Sequence, residues 1–370
     1  MKRCAKCILP ENYPGIILDE GGICDRCVAY KERKYLGGEA LKEKIESFLR
    51  TKKDINDNYD CVLAFSGGRD STYLLYYLAK VLNLRVLAYT IDNGFIPKET
   101  TFNIKNTVDI LAVKLVIEKN ERLEKCIRHH ILSFVHRPSG PTIELLCTGC
   151  RVGLMTMVTA FARKNRIPVI ISGGNPLECG GHKQRIMLLN PNSRNISLIS
   201  LILGYLFQVI RNPRWILNYD CVVAQIQEYP RLFYPKVFLR NSRTRDPIKI
   251  APFYSYIRWD EKVLVSTIKD KLNWRETPDA KSTWRGDCGI ALLKLYLWKT
   301  IFGFSDRDVG LSHLIRDGQI SREEALERIE KEGNVSEEVV KAILDKLGLE
   351  FSALKVVLET SGFSDSQKIE

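Results

Sequence analysis

Long hydrophobic runs are scarce in this 370-residue chain. The longest, residues 196–210, is interrupted by Ser197, Ser200, Gly204 and Gln208. A helix that spans a bilayer needs about 20 mainly apolar residues, so we predict a core or interface helix here and no membrane span. The sequence also opens on Met-Lys-Arg-Cys rather than on an apolar signal segment, which predicts a cytoplasmic protein.

Histidine is scarce as well, and the chain shows no internal repeats or low-complexity tracts. The five histidines form no spaced catalytic set, and only His182 lies near a predicted ligand loop. With 45% hydrophobic and 27% charged residues, a chain of this length can bury a sizeable core and is expected to form two or three domains.

Cysteine, by contrast, is plentiful, with eleven residues, several of them in Cys-x-x-Cys pairs. This pattern favours metal or redox chemistry in a reducing compartment over a disulfide framework. Cys4, Cys7, Cys24 and Cys27 have the spacing of a zinc ribbon, and four thiolates suit Zn²⁺ or iron. We predict a structural zinc, because a closed four-thiolate shell leaves no open position for catalysis.

The most informative segment is residues 60–72. An apolar run over 61–65 predicts a buried strand, and an apolar-periodic helix begins at Thr72. Between them, Ser-Gly-Gly-Arg-Asp-Ser predicts a phosphate loop, since two glycines allow a sharp turn with free N–H groups at a helix N-terminus. An ordinary turn between a strand and a helix is the alternative. Asp70 and Ser71 are also candidate catalytic residues. The predicted pyrophosphate ligands are Ser66, Gly67, Gly68, Asp70, Ser71 and Thr72.

Further strands are predicted at 85–92, 114–118 and 166–172, with helices between them. Strands that alternate with helices indicate an α/β fold with a doubly wound parallel sheet, in which ligands bind at the carboxyl ends of strands. The residues predicted to flank a nucleotide at these ends are Phe65, Asp92 and Gly173. Glu178, which follows the last strand, is either a Mg²⁺ ligand or a loop carboxylate.

A second cysteine group lies further along the chain. Cys147-Thr-Gly-Cys150 precedes a predicted helix over 151–164, and a thiol at a helix N-terminus is expected to have a lowered pKa. With Cys288, these residues could hold a 4Fe-4S cluster, a zinc ion or a persulfide, and a turn with buried thiols is the alternative. Cys147 and Cys150 are therefore candidate catalytic residues. The cysteines predicted to be ordinary core or surface residues are Cys61, Cys126, Cys179 and Cys221.

Positive charge is concentrated in one region. The net charge is +12, and residues 181–250 carry 11 Lys/Arg against 3 Asp/Glu, with aromatic residues between them. This pattern favours a surface for an anionic partner, such as a nucleic acid, a nucleotide-sugar or membrane phosphate. A solvated basic face over an aromatic core is the alternative.

The Ser-Gly-Gly-Arg-Asp-Ser loop resembles the PP-loop of the ATP pyrophosphatases, which have the adenine nucleotide alpha hydrolase-like fold. Around it the chain has no Walker-type Gly-x4-Gly-Lys-Ser/Thr motif. Three stretches resemble one branch, the N-acetyl sugar amidotransferases of surface-polysaccharide biosynthesis. They are the cysteine-rich N-terminus, the loop segment 65–71, and a C-terminal pattern over 249–254, 311–315 and 317–325.

The resemblance implies an ATP- and Mg²⁺-dependent enzyme that adenylates an amide or carbonyl oxygen and releases AMP and pyrophosphate. In that branch, ammonia from a separate glutaminase partner replaces the oxygen of an acetamido group on a nucleotide-linked sugar. The cysteine at position 288 differs from the pattern of that branch. It favours a second interpretation, in which the chain is a PP-loop sulfurtransferase that uses an iron–sulfur cluster to thiolate a tRNA base or a small molecule. A zinc-ribbon nucleic-acid binder with a degenerate ATP site is the non-enzymatic alternative.

Four regions are expected along the chain. They are a zinc ribbon with a linker helix (1–53), the PP-loop nucleotide-binding domain (54–180), a basic substrate-binding region (181–290) and a mainly helical C-terminal region (291–370). In the last region, Ser321 opens a capping-box pattern, which predicts the start of a helix.

Overall fold

The sheet at the centre of the molecule contains five strands. The computed structural model describes residues 1–50, 58–175, 177, 185–190, 197–219, 221–222 and 249–360. Within these ranges the strands are β1 (Cys61–Ala64), β2 (Val86–Asp92), β3 (Lys114–Lys119), β4 (Val169–Ser172) and β5 (Lys249–Pro252). All neighbouring strands are parallel, in the order β3-β2-β1-β4-β5.

The strand order places a topological switch next to β1. The chain moves outward from β1 to β2 and β3, and then returns to the other side of β1 with β4 and β5. Leu63 accordingly pairs with Ala88 on one side and with Ile171 on the other. In open α/β sheets, ligands bind outside the carboxyl ends of the strands at such a switch.

Helices cover both faces of the sheet and build the C-terminal region. The first of the sheet helices, Arg69–Tyr76, continues into a π-helical turn over Tyr77–Val81. The α-helices are α1 (Asp25–Val28), α2 (Gly38–Arg50), α3 (Arg69–Tyr76), α4 (Lys98–Leu111), α5 (Glu121–His136), α6 (Gly140–Leu145), α7 (Thr148–Lys164), α8 (Leu198–Arg211), α9 (Glu261–Leu272), α10 (Gly289–Phe302), α11 (Asp306–Arg316), α12 (Arg322–Glu332), α13 (Glu337–Lys346) and α14 (Phe351–Thr360). The helix predicted after Ser321 is present as α12, and the Ser321 hydroxyl accepts the N–H of Glu324 at 3.1 Å.

The two faces of the sheet are buried against different helices. On one face, Val62 and Ile170 pack with Val158 and Ala162 of α7. On the other face, the alternate strand positions pack with α3, α4 and α9. A strand that is buried on both faces has a continuous apolar sequence, as the segment 61–65 has. The predicted doubly wound α/β fold is confirmed.

Two strands differ from the sequence prediction. β4 begins at Val169 rather than at residue 166, because Arg166 adopts a left-handed conformation (φ 56°) in the turn after α7. β5 was not predicted. It pairs with β4 over four positions at the edge of the sheet, and its short length and Pro252 leave little strand signal in the sequence.

The N-terminal cysteine segment packs on the C-terminal helices. Arg3 forms a salt bridge with Asp308 of α11 at 2.7 Å, and the N–H of Ile8 donates to the Ser312 hydroxyl at 3.3 Å. Arg322 of α12 donates to backbone carbonyls of the cysteine segment. The first and last predicted regions are thus in direct contact, and the division into four domains stays a prediction.

Residues 198–210 of the apolar run lie in α8. Among the described residues, no helix has the length and apolar character needed to cross a membrane. Much of the predicted basic region, 181–250, lies outside the described residues.

Candidate functional site

The loop after β1 turns at Gly67, whose backbone is left-handed (φ 75°). A Cβ atom here would lie 2.5 Å from Cγ1 of Ile104 and 3.0 Å from the carbonyl oxygen of Thr100. Glycine is therefore required at position 67 for two reasons: the backbone is left-handed, and there is no room for a side chain. The indole N–H of Trp274 donates to the Gly67 carbonyl at 3.0 Å and holds the turn in place.

Two serine hydroxyls lie at the mouth of this loop. Ser66 Oγ and Ser71 Oγ are 3.1 Å apart, and Ser66 Oγ accepts the Gly68 N–H at 3.4 Å. The N–H of Ser66 in turn donates to Ser71 Oγ at 3.3 Å. These are long hydrogen bonds at the positive end of the α3 dipole, and an anion can replace them.

Asp70 and Thr72 are placed differently from the serines. The Asp70 carboxylate accepts the indole N–H of Trp259 at 3.0 Å and the side-chain amide of Asn175 at 3.4 Å. It also lies 3.3 Å from the Arg69 guanidinium. Thr72 is fully buried, and its hydroxyl has no partner among the described residues. The pyrophosphate contacts of both residues, and a catalytic role for Asp70, stay predictions.

A buried ionic network, which the sequence analysis missed, anchors α3. The Arg69 guanidinium donates to Glu261 of α9 at 2.7 Å and lies 4.2 Å from the ring centroid of Trp284. Glu261 also pairs with Arg328 of α12 at 2.7 Å. Burial opposes the ionisation of Glu261, but the hydrogen bond from Arg328 and the charge of Arg69 outweigh it and hold the pKa of Glu261 below its ordinary value. The phosphate loop is thereby tied to the C-terminal half of the chain.

Asp287 lies beside the loop. A Cβ atom at Gly68 would be 2.8 Å from Oδ2 of Asp287, so this carboxylate stands at the first turn of α3. A carboxylate at a phosphate site repels the phosphate unless a cation lies between them. Asp287 is therefore a candidate Mg²⁺ ligand that the sequence analysis missed.

A cavity of about 140 Å³ connects the phosphate loop with the second cysteine group. Phe65 and Ser66 line it from the loop, and Asp287 and Cys288 line it from the segment before α10. Cys150 of α7 also lines it. The fold thus brings two of the three predicted cysteines to the same small space as the loop.

Asn93 lies between these two thiols. Its Nδ2 is 3.5 Å from Sγ of Cys150 and 3.5 Å from Sγ of Cys288. Its Oδ1 accepts the Phe95 N–H at 3.0 Å, which fixes the orientation of the amide. Cys147, at the N-cap of α7, is close enough to act electrostatically on both thiols. Two of the three predicted cysteines therefore flank one amide, and Cys147 lies near them at the start of α7.

The expectation of a lowered thiol pKa at the N-terminus of α7 is wrong for Cys150. Burial raises the pKa of Cys150, and the nearby Cys288 and Cys147 raise it further. Burial likewise raises the pKa of Cys288 to about 12. Desolvation of an enclosed thiolate outweighs the helix dipole here. A metal ion that displaced these protons would bind the sulfurs as thiolates.

A larger cavity of about 430 Å³ lies at the carboxyl ends of β2 and β3. It shares Thr90 and Ile96 with the smaller one, so the two cavities adjoin. Asp92 lines the larger cavity, and its carboxylate accepts the Gly94 N–H at 2.8 Å. The basic side chains in its wall come from α4, β3 and α13 and are Lys105, Lys119 and Lys346.

The remaining predicted residues are placed as follows. Gly173 lies at the carboxyl end of β4 beside Leu74 of α3, and its contact with a nucleotide stays a prediction. The predicted core cysteines that the structure describes are buried: Cys61, Cys126 and Cys221. The residues that lie outside the described residues are Glu178, Cys179 and His182.

The four N-terminal cysteines form a site that fits one metal ion. Their Sγ atoms all lie within 4.8 Å of one another, and all four residues are buried. Cys4 Sγ accepts the N–H groups of Cys7 and Cys24 at 3.4 and 3.2 Å, and Arg316 donates to Cys7 Sγ at 3.4 Å. Such donors stabilise metal-bound thiolates. In the part of the chain that is described, no other group of three or more such ligands is this close.

Two sequence comparisons bear on this chain. Residues 290–366 match the family model "LPS biosynthesis protein WbpG-like, C-terminal domain". A curated relative, the uncharacterized protein MJ1599 of Methanocaldococcus jannaschii, is 33% identical over 117 residues, which are 31% of this chain and 42% of that protein. The chain thus matches less than half the length of this relative.

Similar solved structures include the U34-tRNA thiolase NcsA from Methanococcus maripaludis with its [4Fe-4S] cluster, at 16% identity and a TM-score of 0.33 over 90% of this chain and 91% of that chain. The NH3-dependent NAD synthetase from Campylobacter jejuni has 12% identity and a TM-score of 0.29 over 64% and 91%. The NMN synthetase from Francisella tularensis has 14% identity and a TM-score of 0.27 over 65% and 98%. Structural similarity at TM-scores this low does not support an inference about activity.

The loop, the strand order and the C-terminal match together support the predicted resemblance. The chain has a parallel sheet and a Ser-Gly-Gly-x-Asp-Ser loop that resembles the PP-loop, and its residues 290–366 match the WbpG-like C-terminal domain model. The matched residues, 290–366, begin just after Cys288 and include none of the residues that line the smaller cavity.

Proposed function

We propose that this chain is an AMP-forming PP-loop transferase. It adenylates a carbonyl or amide oxygen of an acceptor and then replaces that oxygen with another atom. The observation that carries the proposal is the cavity of about 140 Å³ in which the phosphate loop meets two cysteine thiols. A site that brings phosphate-binding groups and potential sulfur ligands together suits an activation step followed by a displacement.

In this proposal the loop binds the pyrophosphate of ATP. The hydroxyls of Ser66 and Ser71 and the N–H groups around Gly67 and Gly68 exchange their long internal hydrogen bonds for phosphate oxygens. Since these donors are held in place before the reaction, they stabilise the negative charge of the departing pyrophosphate without reorganisation.

Magnesium fits the same place. The Asp287 carboxylate beside Gly68 is a hard oxygen ligand of the kind that Mg²⁺ uses together with substrate phosphates. When bound, the ion neutralises phosphate charge. Asp287 itself would hold the ion at the first turn of α3.

The larger cavity is proposed to hold the nucleoside of ATP or part of the acceptor. Its volume of about 430 Å³ is in the range of sites for small molecules. Lys105, Lys119 and Lys346 bring three positive charges against the carboxylates of Asp92 and Glu124. A phosphate-bearing ligand suits this balance of charge.

The second cysteine group favours sulfur as the incoming atom. Cys147, Cys150 and Cys288 are too widely spaced for one tetrahedral ion. Two thiols on one amide, with Cys147 at the start of the same helix as Cys150, suit three ligands of a 4Fe-4S cluster. Such a cluster, when bound, would supply an iron that accepts sulfide. Asn93 would orient two of the ligands.

The proposed reaction balances as two displacements. The acceptor oxygen attacks the α-phosphorus of ATP, and the bond from this phosphorus to the pyrophosphate oxygen breaks. Sulfide, supplied by an external sulfur donor, then adds to the activated carbon. The carbon–oxygen bond breaks, and AMP leaves with the former acceptor oxygen. No electrons are transferred in either step.

A second candidate function differs only in the incoming atom. The match of residues 290–366 to the C-terminal domain of WbpG-like LPS biosynthesis proteins supports a role in polysaccharide biosynthesis, and the resemblance to the N-acetyl sugar amidotransferases points to an amidotransferase. In this version ammonia, from a glutaminase partner, replaces the oxygen of an acetamido group on a nucleotide-linked sugar. The thiols would then have no part in the chemistry.

The N-terminal site is proposed to hold a structural zinc in both versions. Its buried four-thiolate set suits a closed tetrahedral Zn²⁺ and offers no open position for a substrate. Its contacts with α11 and α12 would make the ion a support for the C-terminal helices.

The test is a comparison of AMP release under anaerobic conditions. The purified chain is supplied with ATP, Mg²⁺ and either bulk tRNA or a nucleotide-linked N-acetylhexosamine, with sulfide or ammonium as the nucleophile. We expect sulfide-dependent AMP release that Cys288→Ser abolishes and the control Cys221→Ser retains, with ATP binding unchanged in both variants. Ammonium-dependent release with the sugar, retained in Cys288→Ser, would establish the second candidate instead. ADP as the product would contradict both.

A further inference from the structure

The outer face of α8 is apolar and exposed. Its residues follow helical spacing and are Ile199, Ile202, Leu203, Leu206, Phe207 and Ile210, each at least 46% exposed. Leu217 and Tyr219, shortly after the helix, are 73% and 81% exposed. Water-soluble surfaces rarely carry a contiguous apolar face of this kind without a partner. The sequence predicted a core or interface helix, and the structure favours an interface.

The inner face of α8 is fixed to the rest of the chain. A Cβ atom at Gly204 would lie 1.8 Å from the carbonyl oxygen of Met187, so the helix packs directly on backbone. Gln208 is buried and accepts from the Ser139 hydroxyl at 3.5 Å. Asn212 donates to the Ser133 carbonyl of α5 at 2.7 Å. The helix is therefore held with its apolar face outward.

The end of this face at Arg211 is basic. Along the sequence, residues 181–219 contain five Lys/Arg and no Asp or Glu. At the end of α8, Arg137 donates to the backbone carbonyl of Arg211 at 2.6 Å, and exposed Arg214 follows. Burial lowers the pKa of the Arg211 guanidinium, and the like charge of Arg137 adds to this effect. An anion at this end of the helix would relieve the repulsion between these groups.

We propose that α8 lies on the surface of an anionic phospholipid bilayer, with its apolar face among the acyl chains and its arginines at the phosphates. A helix of 14 residues is about 21 Å long, and it lies on a bilayer rather than across it. A second copy of the chain is the less favoured occupant, because it would bring a second basic stretch that lacks acidic partners. The proposal is independent of the reaction catalysed.

The experiment is flotation of the full chain with vesicles of phosphatidylcholine alone or with added phosphatidylglycerol, at low and high salt. We expect flotation with the anionic vesicles only, and less of it at high salt. Arg214→Glu should weaken binding about five-fold or more, since each basic residue near such a surface contributes about this factor. Ile199→Ser combined with Ile210→Ser should weaken it at least about ten-fold.

The matched control is Val263→Ser combined with Val356→Ser, two valines that are 53% and 56% exposed elsewhere on the surface. This variant should float like the unchanged chain, and circular dichroism should show that all variants are folded. Absence of flotation with anionic vesicles would overturn the proposal, as would equal flotation with neutral vesicles. A dimer in light scattering that the Ile199→Ser, Ile210→Ser variant dissociates, without vesicle binding, would assign the face to a second copy.

Discussion

Arg69 and Glu261 form a buried ion pair at 2.7 Å that joins the first residue of α3 to the first residue of α9. The two side chains are 3% and 10% exposed. Trp284 stacks on the guanidinium, and Arg328 pairs with the other carboxylate oxygen. Arg69 occupies the variable position of the Ser-Gly-Gly-x-Asp-Ser motif, and it anchors α3 to the C-terminal half of the chain. The geometry of the phosphate loop therefore depends on residues far along the sequence.

Glu261→Gln should destabilise the chain strongly. The substitution removes the carboxylate that Arg69 and Arg328 share and leaves them only their second partners, Asp70 and Glu332. Removal of one partner from a buried pair costs up to about 3–5 kcal/mol. Urea unfolding measures the change. The control is Glu276→Gln, which breaks the exposed pair with Lys269 and should cost less than about 1 kcal/mol. Equal effects of the two substitutions would show that the buried network does not anchor α3.

The same carboxylate makes stability depend on acid pH. Because the pKa of Glu261 is lowered in the folded chain, its contribution is fully present above its ordinary pKa of about 4.5 and is lost as the pH falls below that value. The unchanged chain should therefore lose more stability than Glu261→Gln between pH 5 and the acid limit of folding. Parallel pH profiles from thermal melts would contradict this.

Gly67→Ala should impair the loop more than a comparable glycine substitution elsewhere. Gly67 and Gly318 have φ of 75° and 72°, so alanine is strained by about 1–2 kcal/mol at either position. Only at Gly67 does a new methyl group also meet Ile104 and the Thr100 backbone. Gly67→Ala should therefore cost at least about 1 kcal/mol more in unfolding and should weaken ATP binding, which Gly318→Ala should retain. Equal losses of stability and of ATP binding in Gly67→Ala and Gly318→Ala would contradict the tight packing around Gly67.

Asp287→Asn should shift the Mg²⁺ dependence of AMP formation. The amide keeps the shape of the carboxylate but removes the charge that would hold the ion, so the Mg²⁺ concentration at half-maximal rate should rise about ten-fold or more. The exposed Asp279→Asn is the control for a change of charge nearby. An unchanged Mg²⁺ profile would exclude Asp287 as a ligand.

Loss of one N-terminal ligand should release zinc and loosen the C-terminal helices. Cys24→Ser opens the four-thiolate shell, which is the anchor for contacts with α11 and α12. Metal analysis should show about one zinc fewer per chain, and the melting temperature should fall. Cys221→Ser, at a buried cysteine outside both groups, should retain the zinc. Full zinc content in Cys24→Ser would place the ion elsewhere.

Local features of this chain are predictable from the sequence, and distant contacts are not. The phosphate loop, the paired cysteines and the buried strands each depend on neighbours within a few residues, so their spacing reveals them. The contact of Asp287 with Gly68 and the place of Asn93 between Cys150 and Cys288 arise only when the sheet and α10 pack together. The raised pKa of the Cys288 thiol is equally a product of burial, which the motif alone does not encode.

The central claim is that the acceptor oxygen leaves in AMP, and an oxygen-18 label tests it most directly. The probes are a tRNA labelled at base carbonyl oxygens and a nucleotide-linked N-acetylhexosamine labelled at its amide oxygen, each incubated with ATP, Mg²⁺ and the nucleophile that supports turnover. Mass spectrometry of the nucleotide product reads the outcome. We predict AMP that carries one labelled oxygen per turnover. Unlabelled AMP, or labelled phosphate accompanied by ADP, would contradict adenylation of the acceptor.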